Sequence, residues 1–274
     1  MTSAAELLDL CRRHLDPDSR PIREHRGHQN TTVLQAATTH GEVIVKAHRS
    51  LDRHTNELHA YQQWAPAVQG RVPRLLAHID NPPAIIITAL PGQPLDQLSL
   101  PIERELDAYQ QAGALLASWH AAEPATDTVD TTGWLAERGE QWLHLADPHL
   151  PARERRTIRA HLRGLAALGH IAAVPCHLDF TPRNLIRDPT GTLSVIDLEH
   201  ARLDLAARDL VRLADRYWRQ RPDLEAAFLT TYGPLTDLDH QVIEHCTYLD
   251  RLTPAARATG RTLPPTAPPP RRTT

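Results

Sequence analysis

The chain changes rhythm along its length. Up to about residue 90 short β-type runs alternate with turns and two helical stretches, and from Pro101 helical spacing takes over. Met1 to Leu15 reads as an amphipathic helix. Pro21 to Ala37 reads as two short β segments around the polar loop Gly27-His28-Gln29-Asn30-Thr31-Thr32. Thr38-Thr39-His40-Gly41 is a turn, and Glu42 to Ala47 is a β-rich run that leads to Lys46. Asp52 to Trp64 places Leu58, Tyr61 and Trp64 at helical spacing, with Glu57 on the following face. Val72 to Ile79 and Ala84 to Leu90 are β-type runs around Asn81-Pro82-Pro83, and Leu90-Pro91-Gly92-Gln93-Pro94-Leu95 breaks the second one.

Helices are then expected over Ile102–Ala122, Gly133–Ala146 and Pro151–Leu168. After a compact β unit near residues 176–199, further helices are expected over Asp204–Tyr217, Asp223–Tyr232 and Asp237–Leu252. Thr262 to Thr274 holds five prolines and paired arginines and reads as a tail outside the fold. The pattern predicts an α+β chain: residues 1–90 as a small antiparallel β lobe with one helix, 91–261 as a larger, mostly helical lobe, and 262–274 as the tail.

The chemistry concentrates in Cys176-His177-Leu178-Asp179-Phe180-Thr181-Pro182-Arg183-Asn184-Leu185-Ile186, followed by Ser194-Val195-Ile196-Asp197-Leu198-Glu199. An apolar run, a polar loop, a strand, a turn at Gly191-Thr192 and a second strand would hold Asp179, Asn184 and Asp197 around one point. Three oxygen-bearing side chains suit a hard cation, and Mg²⁺ shared with substrate phosphates is the usual occupant. The spacing His-x-Asp-x4-Asn, then an Asp at a strand end, is that of a kinase catalytic loop and metal-binding Asp. Asp179 is expected to accept the proton of an attacking hydroxyl, and Asn184 and Asp197 to hold the metal on ATP.

Of the 30 basic residues all but Lys46 are arginine. A compact ammonium gripping phosphates is one place where that exchange is not conservative. The segment before Lys46 has the strand–loop–strand–turn–strand order of a kinase N-terminal sheet, with the lysine aimed at the α- and β-phosphates.

At these residues the chain resembles the aminoglycoside phosphotransferase and choline kinase-like family of small-molecule kinases. That family writes its loop roughly as His-Gly-Asp-(Phe/Leu)-x-x-x-Asn-(Ile/Leu) and its metal segment as Ile-Asp-(Trp/Phe)-Glu-x-Ala. Here they read His177 to Leu185 and Ile196-Asp197-Leu198-Glu199-His200-Ala201. The resemblance implies a bilobal protein kinase-like fold and Mg²⁺-dependent use of ATP, with GTP as an alternative. It implies Glu57 as the partner of Lys46, and Asn30 and Thr31 over the phosphates. Thr88, Ala89 and Leu90 become the hinge that meets adenine through main chain. His177 and Asp209 become structural support for the loop, and His120, in Gly113-Ala114-Leu115-Leu116-Ala117-Ser118-Trp119-His120, a buried hydrogen-bonded residue. Two departures stand out: Leu178 replaces the usual glycine, and Asp204-Leu205-Ala206 replaces a frequent Gly-Asp-Pro.

Composition removes other classes. A net charge of -3 gives no general attraction to nucleic acid or anionic membrane, and no apolar stretch approaches a membrane span. Cys11, Cys176 and Cys246 are few and dispersed, as in a reducing cytoplasm. The 17 histidines lack ligand spacing, so no transition-metal site is expected. The acceptor is expected to be a hydroxylated natural product, aminoglycoside-like and inactivated by phosphorylation, and the arginine- and proline-rich composition fits a high-GC source of resistance kinases. A cleft for such a cation would want carboxylates, which Glu199, Asp204, Asp237 and Asp239 could supply, or these could equally be surface residues. A metabolite kinase acting on an amino alcohol, homoserine or a sugar is the alternative. A nucleotide-binding pseudokinase would lack one of Lys46, Asp179, Asn184 or Asp197, and all four are present. A monomer or homodimer is expected.

Overall fold

The computed structural model describes residues 2–26, 32–68, 70–127, 130–146 and 150–258. The chain divides into two compact units. One comprises Met1–Ser99 and Pro182–Ala201, the other Leu100–Thr181 and Arg202–Thr274. The architecture is α+β, an antiparallel sheet first and helices after.

In unit 1, helix α1 (Ala4–His14) starts at Ser3, whose hydroxyl accepts from the Glu6 amide while the Glu6 carboxylate accepts from the Ser3 amide. This reciprocal cap satisfies donors that a helix start leaves open. Strands β1 (Arg20–Arg26), β2 (Thr32–Thr38) and β3 (Gly41–Ala47), helix α2 (Leu51–His59), and strands β4 (Leu75–Asp80) and β5 (Pro83–Thr88) follow. The sheet is antiparallel in the order β1-β2-β3-β5-β4. Alternation on β2 and β3 sends Leu34, Ala36, Val43 and Val45 into a core with Leu7, Leu10 and Cys11 of α1. The other phase of β3 carries Ile44 and Lys46, opposite Ile87 and Ile85 of β5. The pleat that buries Val45 on one face therefore aims Lys46 from the other.

A second sheet is built from β6 (Gln93–Pro94), β8 (Leu185–Arg187) and β9 (Leu193–Val195). Gly92 leads into it at φ +111°, where a Cβ would stand 2.2 Å from the Arg187 carbonyl oxygen, so only glycine fits. Arg71 donates its Nε–H to the Leu193 carbonyl, and its own carbonyl accepts from the Val195 amide at 2.8 Å. These contacts attach residues 182–201 to the N-terminal part, whereas the order of motifs had assigned them to 91–261. The long helix expected over Asp52–Trp64 changes pitch at Ala60, where a π-helical turn, Ala60–Trp64, buries Tyr61 and Trp64.

Unit 2 holds α3 (Ile102–His120), α4 (Thr131–Ala146), α5 (Ala152–Ala167), the antiparallel pair β7 (Val174–Cys176) and β10 (Arg202–Asp204), then α6 (Val211–Arg216), α7 (Pro222–Tyr232) and α8 (Asp237–Ala258). Its core joins Leu135, Leu143, Ile158, Leu162, Leu165, Val242, Cys246 and Leu249. The helix expected from Asp204 begins only at Val211. Asp204 instead ends β10 opposite Val174, because its wholly buried carboxylate is held by Arg202 and Arg208. All three cysteine thiols are buried and free, and burial pushes those of Cys11 and Cys176 above the ordinary range and that of Cys246 up to about 12. No helix among the described residues is long and apolar enough to cross a membrane.

Helices α3 and α7 approach closely at Gly113, where a Cβ would lie 2.2 Å from the Phe228 carbonyl oxygen. A helical Gly→Ala change ordinarily gains about 1 kcal/mol in propensity, but overpacking against fixed backbone costs about 1–3 kcal/mol or more. Gly113→Ala is therefore expected to destabilise the protein despite its better propensity. Urea unfolding checks the sign, and a variant as stable as the parent would contradict the packing.

Candidate active site

The polar centre of unit 1 is Lys46. Its Nζ lies 2.5 Å from Asp197 Oδ1, 2.9 Å from Glu199 Oε2 and 3.1 Å from Glu57 Oε2. Glu57 comes from α2 and also meets His48 Nε2 at 2.5 Å. Glu199 is shared with Arg53 Nη1 at 2.5 Å. Burial works against the charged ammonium, but the Asp197, Glu57 and Glu199 carboxylates outweigh it and hold Lys46 well above its ordinary pKa. Burial likewise pushes Glu57 up, and Lys46 and His48 more than reverse it, so its carboxyl lies below the usual range.

Three carboxylates face two permanent cations in this cluster. Glu57 is 1% exposed and Asp197 35% exposed, so Asp197 is the carboxylate an incoming ion can reach. Asp197 follows β9 in the left-handed region at φ 67°, which Asp tolerates better than most residues. The Ile196 amide donates to the Asn184 carbonyl at 2.9 Å, tying the two expected metal-ligand segments together. Bordering the cluster, the buried Tyr61 hydroxyl and His48 Nδ1 have no hydrogen-bond partner among the described residues.

Thr88, Ala89 and Leu90, expected to meet adenine, lie at the end of β5. The Thr88 amide donates to the Arg74 carbonyl at 3.0 Å, the Thr88 hydroxyl accepts from the Arg74 amide at 2.9 Å, and the Ala89 amide donates to the Glu42 carbonyl at 2.9 Å. The sheet thus uses the amides of Thr88 and Ala89. Asn30 and Thr31 lie outside the described residues.

In unit 2 the loop expected to be catalytic leaves β7 through His177, and Asp179 is buried at 3% exposure. Asp209 organises this loop: its carboxylate accepts from the His177 amide at 2.8 Å, from the Leu178 amide, and from His120 Nε2 at 3.0 Å. His120 Nδ1 is then the acceptor for the Tyr232 hydroxyl at 3.0 Å, whose proton burial retains. The Asp179 amide donates to His177 Nδ1 at 3.2 Å. Leu178 takes φ 62°, a conformation glycine adopts freely and other residues at a cost of about 1–2 kcal/mol. The leucine is held in this left-handed turn by Asp209.

Sequence reasoning missed Arg212. Its Nη1–H donates to Asp179 Oδ1, and its Nε–H to Asp250 Oδ1 of α8 at 3.1 Å. Its only local signal is its position one helical turn after Asp209. His48 was also missed, though it shares the strand phase of Lys46, and Arg53 was missed on the first turn of α2.

Three carboxylates expected to line an acceptor cleft have partners of their own. Glu199 is engaged by Lys46 and Arg53 in unit 1. Asp204 is inaccessible and ion-paired with Arg202 and Arg208; burial alone would raise its pKa, and the two guanidinium groups bring it below the usual range. Asp239 caps α8, accepting from the Thr236 amide at 2.9 Å while its own amide donates to the Thr236 hydroxyl.

Residues 21–244 match the family described as phosphotransferase enzyme family. No curated protein sequence matches the chain. Among solved structures the chain is similar to a macrolide 2′-phosphotransferase from Brachybacterium faecium, at TM-score 0.66 and 19% identity over 94% of this chain and 93% of that one. It is similar to an aminoglycoside phosphotransferase from Streptomyces rimosus in complex with ADP and streptomycin, at TM-score 0.60 and 20% identity over 92% and 99%. It is also similar to a choline kinase from Streptococcus pneumoniae, at TM-score 0.62 and 15% identity over 88% and 87%. These similarities show the kinase-like fold.

Replacing Lys46 by methionine would leave Glu57, Asp197 and Glu199 converging without their ammonium. Breaking a buried pair in this way costs about 3–5 kcal/mol, and that loss is expected near pH 7. Glu57 stabilises the fold above its unfolded pKa near 4.5 and stops doing so as pH falls through its lower folded value. Lys46 stabilises it below about 10.5 and stops only as pH rises through its higher folded value. The penalty of Lys46→Met should therefore shrink as pH falls, because the stranded carboxylates, left to burial without their ammonium, protonate at higher pH than when paired. Urea unfolding of both proteins at neutral and acid pH measures this. A penalty independent of pH would refute the electrostatic account.

Proposed function

Because the chain belongs to the phosphotransferase enzyme family, we propose that it transfers the γ-phosphate of ATP, with Mg²⁺, to a hydroxyl group of a small natural product. The observation that carries this reading is the buried Lys46 held among Asp197, Glu57 and Glu199. A surplus of carboxylate with one accessible member fits a divalent cation, and a desolvated ammonium fits phosphate oxygens. Asp197 and Asn184 would hold the metal, and Lys46 the phosphates. When Asp197 turns to the ion, Glu57 and Glu199 would keep Lys46 in place.

Bound Mg²⁺ and nucleotide supply charge neutralisation and the group to be transferred. The chain's residues do the rest. Thr88, Ala89 and Leu90 would receive adenine through main chain. Asp179 would orient the acceptor hydroxyl and take its proton at a carboxylate oxygen. Arg212 would keep that carboxylate ionised and aimed, and Asp209 would keep the loop in the conformation that presents it. The nucleotide reading is supported by the Streptomyces rimosus neighbour, which carries ADP; GTP use remains compatible with the same groups.

The acceptor reading is narrower than the composition suggested. A polycation needs unspent carboxylates, yet Glu199 and Asp204 are ion-paired and a guanidinium touches Asp179. A hydroxylated natural product with little positive charge fits better, and antibiotic inactivation is the proposed outcome. The similarity to a choline kinase favours a metabolite kinase as the second reading.

The test is Mg²⁺-dependent ATP consumption across a macrolide, an aminoglycoside and choline, followed by mass spectrometry for a phosphorylated product. Consumption that no acceptor stimulates would sink the proposal. Asp179→Asn is expected to lower turnover about 10²- to 10⁴-fold with nucleotide binding retained. Asp197→Ala should abolish Mg²⁺-dependent nucleotide binding in a calorimetric titration.

A further inference from the structure

Two histidines distant in sequence meet between helices of unit 2. His161 of α5 and His245 of α8 bring their Nδ1 atoms to 3.1 Å, and Glu244 Oε1 lies 3.8 Å from the His161 Nδ1. These three ligand atoms all fall within 4.8 Å of one another. Such a pair has two explanations. Either one ring donates its Nδ1–H to the other, or both lone pairs face a common ion. Metal–nitrogen bonds of about 2.0–2.1 Å spanning that separation would meet at roughly 100°, between tetrahedral and octahedral angles.

The surroundings are shaped for these rings. His161 stacks on Tyr248 with centroids 3.7 Å apart and planes 11° from parallel, which fixes its orientation. Facing His245, α5 carries Gly164, where a Cβ would stand 2.6 Å from the His245 Nε2. The glycine leaves the imidazole its place. Beneath the pair, Ile158, Leu162 and Leu165 pack with Val242, Cys246 and Leu249, so packed helices set the donor positions, which makes for a precise site.

We propose that His161, His245 and Glu244 form a binding site for a borderline divalent transition-metal ion of the Zn²⁺ or Ni²⁺ type. Imidazole nitrogen suits such ions, whereas Mg²⁺ prefers oxygen and water. On binding, both Nδ1 lone pairs are donated and each ring carries its proton on Nε2. The exposed Glu244 moves onto the ion, and solvent fills the remaining positions. The ion clips α5 to α8 across 84 residues of chain and needs no part of the phosphoryl-transfer chemistry. The sequence hid this site because the two helices bring together histidines with no local ligand spacing.

The full chain, made without a histidine tag and stripped of metal, would be titrated with ZnCl₂ and with NiCl₂ in a calorimeter while thermal unfolding is followed in parallel. Saturable binding of a single equivalent, with a raised unfolding temperature, is expected. Loss of a group that only hydrogen-bonds a metal ligand weakens metal binding about 10- to 100-fold, so His161→Ala and His245→Ala should each weaken it at least that much. Gly164→Ala keeps every ligand but crowds His245, and it should weaken binding while favouring the helix. His170→Ala, at a histidine paired with Asp127 instead, should bind like the parent. No saturable binding, or binding that survives both ligand substitutions, would overturn the proposal and leave a hydrogen-bonded imidazole pair.

Discussion

A lone ammonium taken out of water is the constraint on which unit 1 depends. Lys46 is buried on the face of β3 opposite its apolar core, where an isolated charge would cost several kcal/mol. It is tolerated because carboxylates arrive from two other places in the chain, Glu57 from α2 and Asp197 and Glu199 from the segment after β9. That need explains why residues 182–201 are folded with the first hundred residues. The ion pairs are the polar side of that attachment, and the pairing of β6 with β8 is its backbone side. Arg53 and His48 are the outer members of the network, each holding one of the carboxylates that hold Lys46.

Unit 2 solves a different problem with similar means. Its loop must turn through a left-handed residue that is not glycine, and Asp209 secures that turn with two main-chain hydrogen bonds while His120 and Tyr232 anchor Asp209 itself. A carboxylate accepting backbone N–H groups forms strong, charge-assisted bonds, enough to offset the strain of Leu178. Asp179 is then set from two sides, by main chain through His177 and by side chain through Arg212. Asp250 extends that second support to the last helix.

Much of the local arrangement is legible in the chain because it depends on short-range spacing. Alternation on β3 gives the direction of Lys46 and helical spacing the face of Glu57, while the loop spacing singles out Asp179, Asn184 and Asp197, and the family resemblance Asp209. Arg212 and Asp250 were not legible, since their meeting requires the packing of α6 on α8. The partners of Asp204 are local. Arg202 and Arg208 stand two residues before it and four after, and a carboxylate so flanked is a structural ion before it is a ligand. The partners of Glu199, Lys46 and Arg53, are not legible locally because they lie about 150 residues away. Charge alone does not say which partner will claim a side chain.

The buried thiols have a practical meaning. Cys11 lies in the core of unit 1 and Cys246 in that of unit 2, and in the native fold neither presents a thiolate to a reagent in water. Alkylation at either position therefore waits for its own surroundings to open. Peptide mapping of the label can time the loosening of each half of the molecule separately, with no probe introduced.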